Sequence, residues 1–377
     1  MWISHCDKSH ECWSIDNQRF VPPRLLDLRA FDHESSLDLK LIARYDAPAN
    51  SFSALAHYAT LSHCWGDPAE YMGRAIRPVT TTKHNLSDRM SRIAFNTLSR
   101  TFSDAVSIAR QLSLRYLWID SLRIIQDDEA DWARESSLMD KVYGNSYCTL
   151  AALSSRNGDF GCRQAPYLNM GNLYPTAIMD ISKDSVRFRP FRGSVSLSSW
   201  DKHYDGTEWY EWSGRGKSPS TNSPLRYRAW TMQEGKLSRR VVYFGKDQLL
   251  WSCRQLKATA QLPWQEARTA IDSLGQIKPS DWNVSFNQQR AEDKWYTLVE
   301  DFMSRSLTCT TDRLPALSRL AREFQYEFPT SRYVAGMWTE HLPGSLLWYN
   351  TSKNCTPMQN IRGSFLVLGL PCQVEYE

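Results

Sequence analysis

The 377-residue chain has no hydrophobic run long enough to cross a membrane. No stretch approaches the roughly 18 consecutive apolar residues that a membrane helix needs, and the first residues lack the basic region and apolar core of a secretory signal. These absences exclude an integral membrane protein. We therefore expect a soluble, cytoplasmic protein with no membrane partner.

The sequence also lacks a strong excess of charge of either sign. Its 45 basic and 41 acidic residues leave a net charge of +4, too little for the electrostatic footprint of a nucleic-acid binder. The Walker lysine motif, Gly-x-Gly-x-x-Gly and Gly-x-Ser-x-Gly are absent, so the common signatures of nucleotide loops and serine hydrolases are missing. We predict no nucleic-acid partner and no required cofactor.

No Cys-x-x-Cys pair is present, and the cysteines are odd in number. A complete disulfide framework is therefore excluded, and a reducing compartment fits best. The nine cysteines are Cys6, Cys12, Cys64, Cys148, Cys162, Cys253, Cys309, Cys355 and Cys372.

One group near the start of the chain has the residue types of a metal site. His5, Cys6, His10 and Cys12 lie within eight residues. Their spacing does not match the usual zinc patterns, and no second Cys/His pair nearby completes a tetrahedral set. On the sequence alone we predict no metal site.

The strongest signal lies between residues 116 and 139. A short apolar strand, Tyr116 to Asp120, ends on a carboxylate and leads into a helix. On a helical wheel Glu135 falls in the middle of an apolar stripe that includes Trp132. A carboxylate on a core-facing stripe loses water, which costs free energy unless it is paired. Two interpretations stay open: a structural glutamate paired with arginine, or an active-site carboxylate.

Strands and helices alternate through the first half of the chain. Apolar runs at 58–65, 116–120 and 147–153 are separated by amphipathic segments, which predicts an α/β fold with a parallel sheet flanked by helices. Ligands of such sheets bind outside the carboxyl ends of the strands. Five residues map to that edge: Ser62, His63, Gly66, Asp120 and Ser121.

The second half is less regular. Residues 176–181 and 186–191 suggest short strands, 240–244 and 248–253 a hairpin, and 289–304 and 315–328 two helices. We expect four segments: a lead-in over 1–56, an α/β core over 57–165, a strand-rich part over 166–260 and a mixed α+β extension over 261–377.

In combination these segments resemble the fungal heterokaryon-incompatibility (HET) domain family. The matching blocks are 58–66, 116–143, 228–234 with 251–253, 307–317 and 333–338. Arg123 departs from the family's usual Asp-x-Leu-Cys-Ile-x-Gln pattern, where a cysteine stands. The resemblance implies an effector of self/non-self recognition and programmed cell death, triggered by self-association or by an unidentified protein partner of the incompatibility response.

The family core is similar to the TIR fold, a flavodoxin-like arrangement in which some members hydrolyse NAD with a helix-borne glutamate after a Trp-x-x-Glu spacing. Trp132 and Glu135 have that spacing. The resemblance thus implies NAD as a substrate and Glu135 as the catalytic carboxylate, with the alternative of a non-enzymatic interaction module.

The remaining ligand-binding candidates follow from the same comparison. Trp65 or Trp132 would stack on a flat ring, Asp120 and Ser62 would orient ribose hydroxyls, and the turn at Gly66 would approach phosphates. Each has a structural alternative, in the core, in a turn or as a helix cap. Arg228 either pairs with a carboxylate such as Glu135 or Asp120, or binds the phosphates of the ligand.

Overall fold

The computed structural model describes the side chains of residues 1–10, 12, 20–44, 57–66, 79–162, 223–246, 249–260, 291–307, 312–325 and most of 327–342, and the backbone of 348–350 and 374–376. The strands predicted at 176–181 and 186–191 lie outside these residues.

The described residues form nine α-helices and twelve β-strands. The helices are α1 (Trp2–Ser9), α2 (Leu86–Ser91), α3 (Arg100–Gln111), α4 (Asp120–Arg123), α5 (Glu129–Ser136), α6 (Met139–Asn145), α7 (Ala229–Leu237), α8 (Ala291–Met303) and α9 (Arg313–Phe324). The strands are β1 (Arg24–Asp27), β2 (Lys40–Ala43), β3 (Tyr58–Ser62), β4 (Tyr116–Trp118), β5 (Cys148–Ala151), β6 (Arg240–Phe244), β7 (Leu249–Cys253), β8 (Lys257–Thr259), β9 (Tyr333–Val334), β10 (Met337–Trp338), β11 (Trp348–Asn350) and β12 (Val374–Tyr376).

Eight of the described strands form one sheet in the order β2-β1-β4-β3-β5-β6-β7-β8. The four central strands, β4, β3, β5 and β6, are parallel, and the outer strands pair antiparallel on both sides. The prediction of an α/β fold with parallel strands is confirmed for the centre. The antiparallel edges make the sheet mixed: β1 pairs with β2 and β4, and β7 pairs with β6 and β8. Antiparallel neighbours need no crossover helix between them.

The central strands are buried on both faces, as near-continuous apolar runs require. One face packs against α6, α7, α8 and α9 through a cluster that includes Tyr58, Trp118 and Phe302. The other face packs against α3 through a cluster that includes Leu61 and Phe102. Each large apolar side chain removed from water contributes about 1.5–3 kcal/mol. Helices on both faces therefore hold the strand ends in fixed positions.

The sheet takes strands from the first three of the four segments predicted from the sequence, since β1 and β2 precede residue 57 and β6 to β8 follow residue 165. The helices predicted at 289–304 and 315–328 are confirmed as α8 and α9. Among the described helices, none combines the length and apolar character needed to cross a bilayer.

The helix predicted to follow the strand that ends at Asp120 is three helices in the structure, α4, α5 and α6. Helix α5 ends at Ser136 and α6 begins at Met139. The hydroxyls of Ser136 and Ser137 donate to carbonyl oxygens three residues back, and such bonds compete with helix continuation. The face of α5 that turns inward carries Asp131 and Glu135. Trp132, the residue after Asp131, is exposed. The prediction that it lies on the same inward-facing stripe as Glu135 was therefore wrong.

Candidate functional site

The carboxyl ends of β3 and β4 bring the predicted edge residues together. The two strands run parallel in a register that pairs Thr60 with Trp118, so the residues after each strand leave the sheet side by side. Ser62 is the last residue of β3, and Asp120 opens α4 directly after β4. This adjacency follows from the parallel topology that the alternating sequence pattern predicts.

Asp120 joins the two strand ends through its carboxylate. Its Oδ2 accepts the indole N–H of Trp65 at 2.9 Å, and its Oδ1 accepts the backbone N–H of Ser121 at 2.7 Å. The same Oδ1 lies 3.6 Å from Nδ1 of His63. The Trp65 ring is therefore fixed by a polar contact at the mouth of the site. Gly66 follows with a φ of 91°, a left-handed conformation that glycine adopts without strain.

His63 is buried beside Asp120 and is neutral at physiological pH. Burial lowers its pKa to about 4; the charge of Arg228 lowers it further, and Asp120 acts in the opposite direction. Its ring stacks on Trp65 and meets Phe102 edge-on, with ring centroids 6.5 Å and 5.0 Å away. Protonation of this imidazole would place a positive charge in a buried site, so His63 acts here as a neutral polar group beside Asp120.

Glu234 completes the cluster from the other side of the sheet. It lies on α7, is only 4% exposed, and contacts the side chains of Ser62 and Tyr143. Burial raises its pKa to about 7, and the nearby Asp120 carboxylate adds to the effect, whereas Ser62, Arg228 and Tyr143 oppose it. A buried carboxyl that titrates near neutral pH is suited to proton transfer.

Arg228 precedes α7 and ties this helix to the strand ends. Its guanidinium donates a hydrogen bond to the backbone carbonyl of His63. Its charge also acts on the pKa values of Cys64, His63 and Glu234. Arg228 therefore bonds neither Glu135 nor Asp120, the two carboxylates considered from the sequence. Through this backbone contact it joins a group that we call the strand-end cluster: Ser62, His63, Trp65, Asp120, Arg228 and Glu234.

Glu135 occupies a different place, in a buried network of arginines and acids. It is 1% exposed, which confirms the burial expected from the helical wheel. Its Oε2 accepts from Arg123 Nη2 at 2.8 Å, and its Oε1 lies 3.6 Å from Arg24 Nη2. Arg24 also bonds Asp131. These contacts favour the structural alternative for Glu135.

Arg123, which stands where the resembled family has a cysteine, is the centre of this network. Its side chain is fully buried, and its guanidinium lies 5.6 Å from the centre of the Trp118 ring. Burial lowers the pKa of Arg123 to about 10, and the charge of Glu135 opposes that change. A buried cation needs a buried anion, so Arg123 and Glu135 depend on each other.

The described residues enclose a small cavity next to the cluster. It has a volume of about 20 Å³ and is lined by Ser62, Thr149, Tyr243 and residues of α7. That volume holds about one water molecule. The open side of the cluster is formed by Trp65, Gly66 and Asp120, which are partly exposed. A larger ligand would therefore approach from that side.

Four of the seven residues predicted from the sequence lie in the strand-end cluster, where each contacts another member or a neighbour that they share. They are Ser62, Trp65, Asp120 and Arg228. Gly66 adjoins them in the chain, whereas Trp132 and Glu135 lie elsewhere. The sequence analysis missed Glu234 and Tyr143 as site residues. Glu234 carries a signal that it did not use, a carboxylate within an otherwise buried helix.

The fold and site define an α/β protein whose ionisable cluster sits at the carboxyl ends of parallel strands. Residues 58–234 match the family model described as Heterokaryon incompatibility protein (HET). The match covers 177 of the 377 residues, just under half of the chain, and supports the resemblance to this family over that stretch. No curated protein and no solved structure matches the chain.

Proposed function

We propose that this protein acts in fungal self/non-self recognition and programmed cell death by hydrolysing NAD at the strand-end cluster. The family match supports the biological setting. Numbered along the chain, the parallel strands β3, β4, β5 and β6 lie in the order second, first, third, fourth, which agrees with flavodoxin-like folds. This order supports a TIR/flavodoxin-like core with its ligand at the strand ends.

The observation that carries the proposal is the pairing of two carboxylates with different surroundings. Glu234 is buried with a pKa raised to about 7, and Asp120 is partly exposed and hydrogen-bonded to Trp65. Glycoside hydrolysis uses two such carboxyl groups around an oxocarbenium-like transition state. Cleavage of the nicotinamide–ribose bond passes through the same kind of cation.

In the proposed reaction the bond between ribose C1′ and the nicotinamide nitrogen breaks, and its electron pair leaves with nicotinamide. Asp120 stabilises the developing positive charge on the ribose. Water attacks C1′ and gives a proton to ionised Glu234, so the products are nicotinamide and ADP-ribose. The chemistry needs no additional cofactor.

The other members of the cluster have binding roles in this proposal. The partly exposed Trp65 ring is available to stack on nicotinamide. The backbone at Gly66 has the conformation that allows close approach to phosphates, and Arg228 supplies positive charge nearby. Ser62 positions the Glu234 carboxyl.

We assign the catalytic carboxylate to Glu234 rather than to Glu135. Arginine partners face both oxygens of Glu135, so its charge is already neutralised. A carboxylate in that state would give up an ion pair in order to stabilise a ribosyl cation. Glu135 acts instead as a structural residue that fixes α5 below α4.

A second candidate function is a non-enzymatic interaction module that self-associates or binds a protein partner. Among the described residues the cavity beside the cluster has room for about one water molecule, and the absence of a larger cavity there favours this alternative. Under both functions we expect a cytoplasmic protein. None of the six cysteines among the described residues is in a disulfide, which agrees with a reducing compartment.

Incubation of the purified full chain with NAD, with nicotinamide release followed by chromatography, separates the two functions. We expect turnover in the wild type, its loss in Glu234→Gln, and its retention in Glu129→Gln, an exposed glutamate on α5. Assays over a range of protein concentrations cover activation by self-association.

The outcomes are distinct. Wild-type protein without turnover at any concentration supports the interaction module. Loss of turnover in a folded Glu135→Gln variant, with turnover kept in Glu234→Gln, would return the catalytic role to Glu135. Binding of NAD without hydrolysis would leave a sensing role.

A further inference from the structure

Three cysteines and one histidine converge beside β7, where Cys253 pairs with Arg240 at the start of β6. Cys6 lies on α1, His10 and Cys12 follow it, and Cys253 is the last residue of β7. One ligand atom from each of these residues lies within 4.8 Å of the other three. The group joins positions almost 250 residues apart in the chain.

The sequence alone did not show four metal ligands, because Cys6, His10 and Cys12 are close in sequence but Cys253 is not. Folding supplies the fourth ligand, Cys253. His5, which the sequence places in the same stretch, is not one of the four converging residues. Its ring packs edge-on against His10, with centroids 5.0 Å apart.

The distances suit a tetrahedral ion. Zinc binds thiolate sulfur at about 2.3 Å and histidine nitrogen at about 2.0–2.1 Å, which places neighbouring ligand atoms about 3.5–3.8 Å apart. Nδ1 of His10 lies 3.4 Å from Sγ of Cys253. Three sulfurs and one imidazole nitrogen form a set that prefers zinc over magnesium or calcium.

The surroundings also fit a bound ion. The three cysteines are at most 1% exposed, and Trp251 and Ala258 pack against them. The backbone N–H of Leu256 donates to Sγ of Cys253 at 3.2 Å. Amide donors to sulfur stabilise thiolates and orient them as ligands. With four protein ligands and a closed apolar shell, the site has the character of a structural centre.

We propose that Cys6, His10, Cys12 and Cys253 bind one structural Zn²⁺ ion that fastens α1 to β7. The ion would neutralise the thiolates and cross-link the N-terminal helix to an antiparallel strand near the edge of the sheet. The proposal is independent of NAD hydrolysis, since none of its four residues belongs to the strand-end cluster.

The test measures metal in the full chain, purified under reducing conditions without chelators. We expect one zinc per chain by elemental analysis. Replacement by Co²⁺ should give thiolate-to-metal charge-transfer bands and the intense visible bands of tetrahedral cobalt. Cys253→Ser and Cys12→Ser should each lose the metal.

Cys162→Ser is the matched control. Cys162 is also buried, and its sulfur faces the backbone oxygen of Thr101, an acceptor that a serine hydroxyl can keep. This variant should retain one zinc per chain. If the ligand variants do not fold, the zinc content and cobalt spectrum of the wild type still decide the question.

Three results would overturn the proposal. The first is wild-type protein without zinc that also gives no tetrahedral cobalt spectrum after full reduction. The second is zinc retained unchanged in a folded Cys253→Ser variant. The third is a disulfide among Cys6, Cys12 and Cys253 in protein from reducing cells, detected as a mass lower by two hydrogens.

Discussion

Replacing Glu234 with glutamine should change how the stability of the protein depends on pH. Burial raises the pKa of Glu234 from its ordinary value of 4.5 to about 7. The unfolded chain releases this proton near pH 4.5, whereas the folded protein holds it until near pH 7. The free energy of unfolding therefore falls as the pH rises through this interval.

The size of the effect follows from the two pKa values. They differ by about 2.5, and one pKa unit corresponds to about 1.4 kcal/mol, so ionisation of Glu234 costs the folded state about 3 kcal/mol above pH 7. Glutamine stays neutral. The variant should gain about 3 kcal/mol over the wild type between pH 4.5 and pH 8.

His63 makes the comparison between the two proteins necessary. Burial lowers its pKa from 6.5 to about 4, so the wild type loses stability from His63 as the pH falls from 6.5 towards 4. Between pH 4.5 and pH 6.5 the contributions of His63 and Glu234 have opposite slopes. In the wild type the two contributions to the free energy of unfolding partly cancel over this pH range. The difference in that free energy between wild type and variant isolates Glu234.

The assay is chemical unfolding followed by tryptophan fluorescence at pH 5, 6, 7 and 8, for wild type, Glu234→Gln and Glu129→Gln. The Glu129→Gln control should follow the wild type at every pH. A stability difference between Glu234→Gln and wild type that stays constant across the series would refute the reasoning, because it would mean that Glu234 titrates at its ordinary pKa.

Two further predictions concern the neighbourhood of the site. Glu135→Ala should lower the free energy of unfolding by about 3–5 kcal/mol, because it leaves Arg123 as an uncompensated buried cation. The double variant Arg123→Met with Glu135→Leu should recover most of this loss in the same unfolding assay. A Glu135→Ala variant as stable as the wild type would contradict the ion pair. Gly66→Ala should cost about 1 kcal/mol, because its φ of 91° is unfavourable for a residue with a side chain; an unchanged unfolding midpoint would show that the turn adapts.

The sequence predicted what local patterns can determine. The apolar runs predicted β3, β4 and β5, and their alternation with helices placed Ser62 and Asp120 at one edge. The burial of Glu135 was also predictable, since it follows from helical periodicity. The exposure of Trp132 could not be predicted in this way. The helical wheel treats the segment as one continuous helix, whereas the hydroxyls of Ser136 and Ser137 help to end α5 at Ser136.

The partners of buried charges could not be predicted in the same way. Arg123 lies 12 residues before Glu135, and only the turn between α4 and α5 decides that their side chains meet. Glu234 reaches Ser62 from more than 170 positions along the chain, and Cys253 reaches Cys6 from still farther. Periodicity indicates that a side chain is buried, but topology determines what it meets.

The strand-end cluster lies within the residues that match the family model, whereas the cysteine–histidine group lies outside them. The matched residues, 58–234, begin at the first residue of β3 and end at Glu234, so they include the strand-end cluster. They exclude β1, which pairs with β4, and β6, which pairs with β5. Exposed strand edges tend to pair with other chains. The matched strands therefore need β1 and β6 beside them, and the proposed zinc site would join α1 to β7, the strand that pairs with β6. The proposed catalytic site consists of matched residues and the proposed metal site of residues outside the match, so activity and metal content are independent tests.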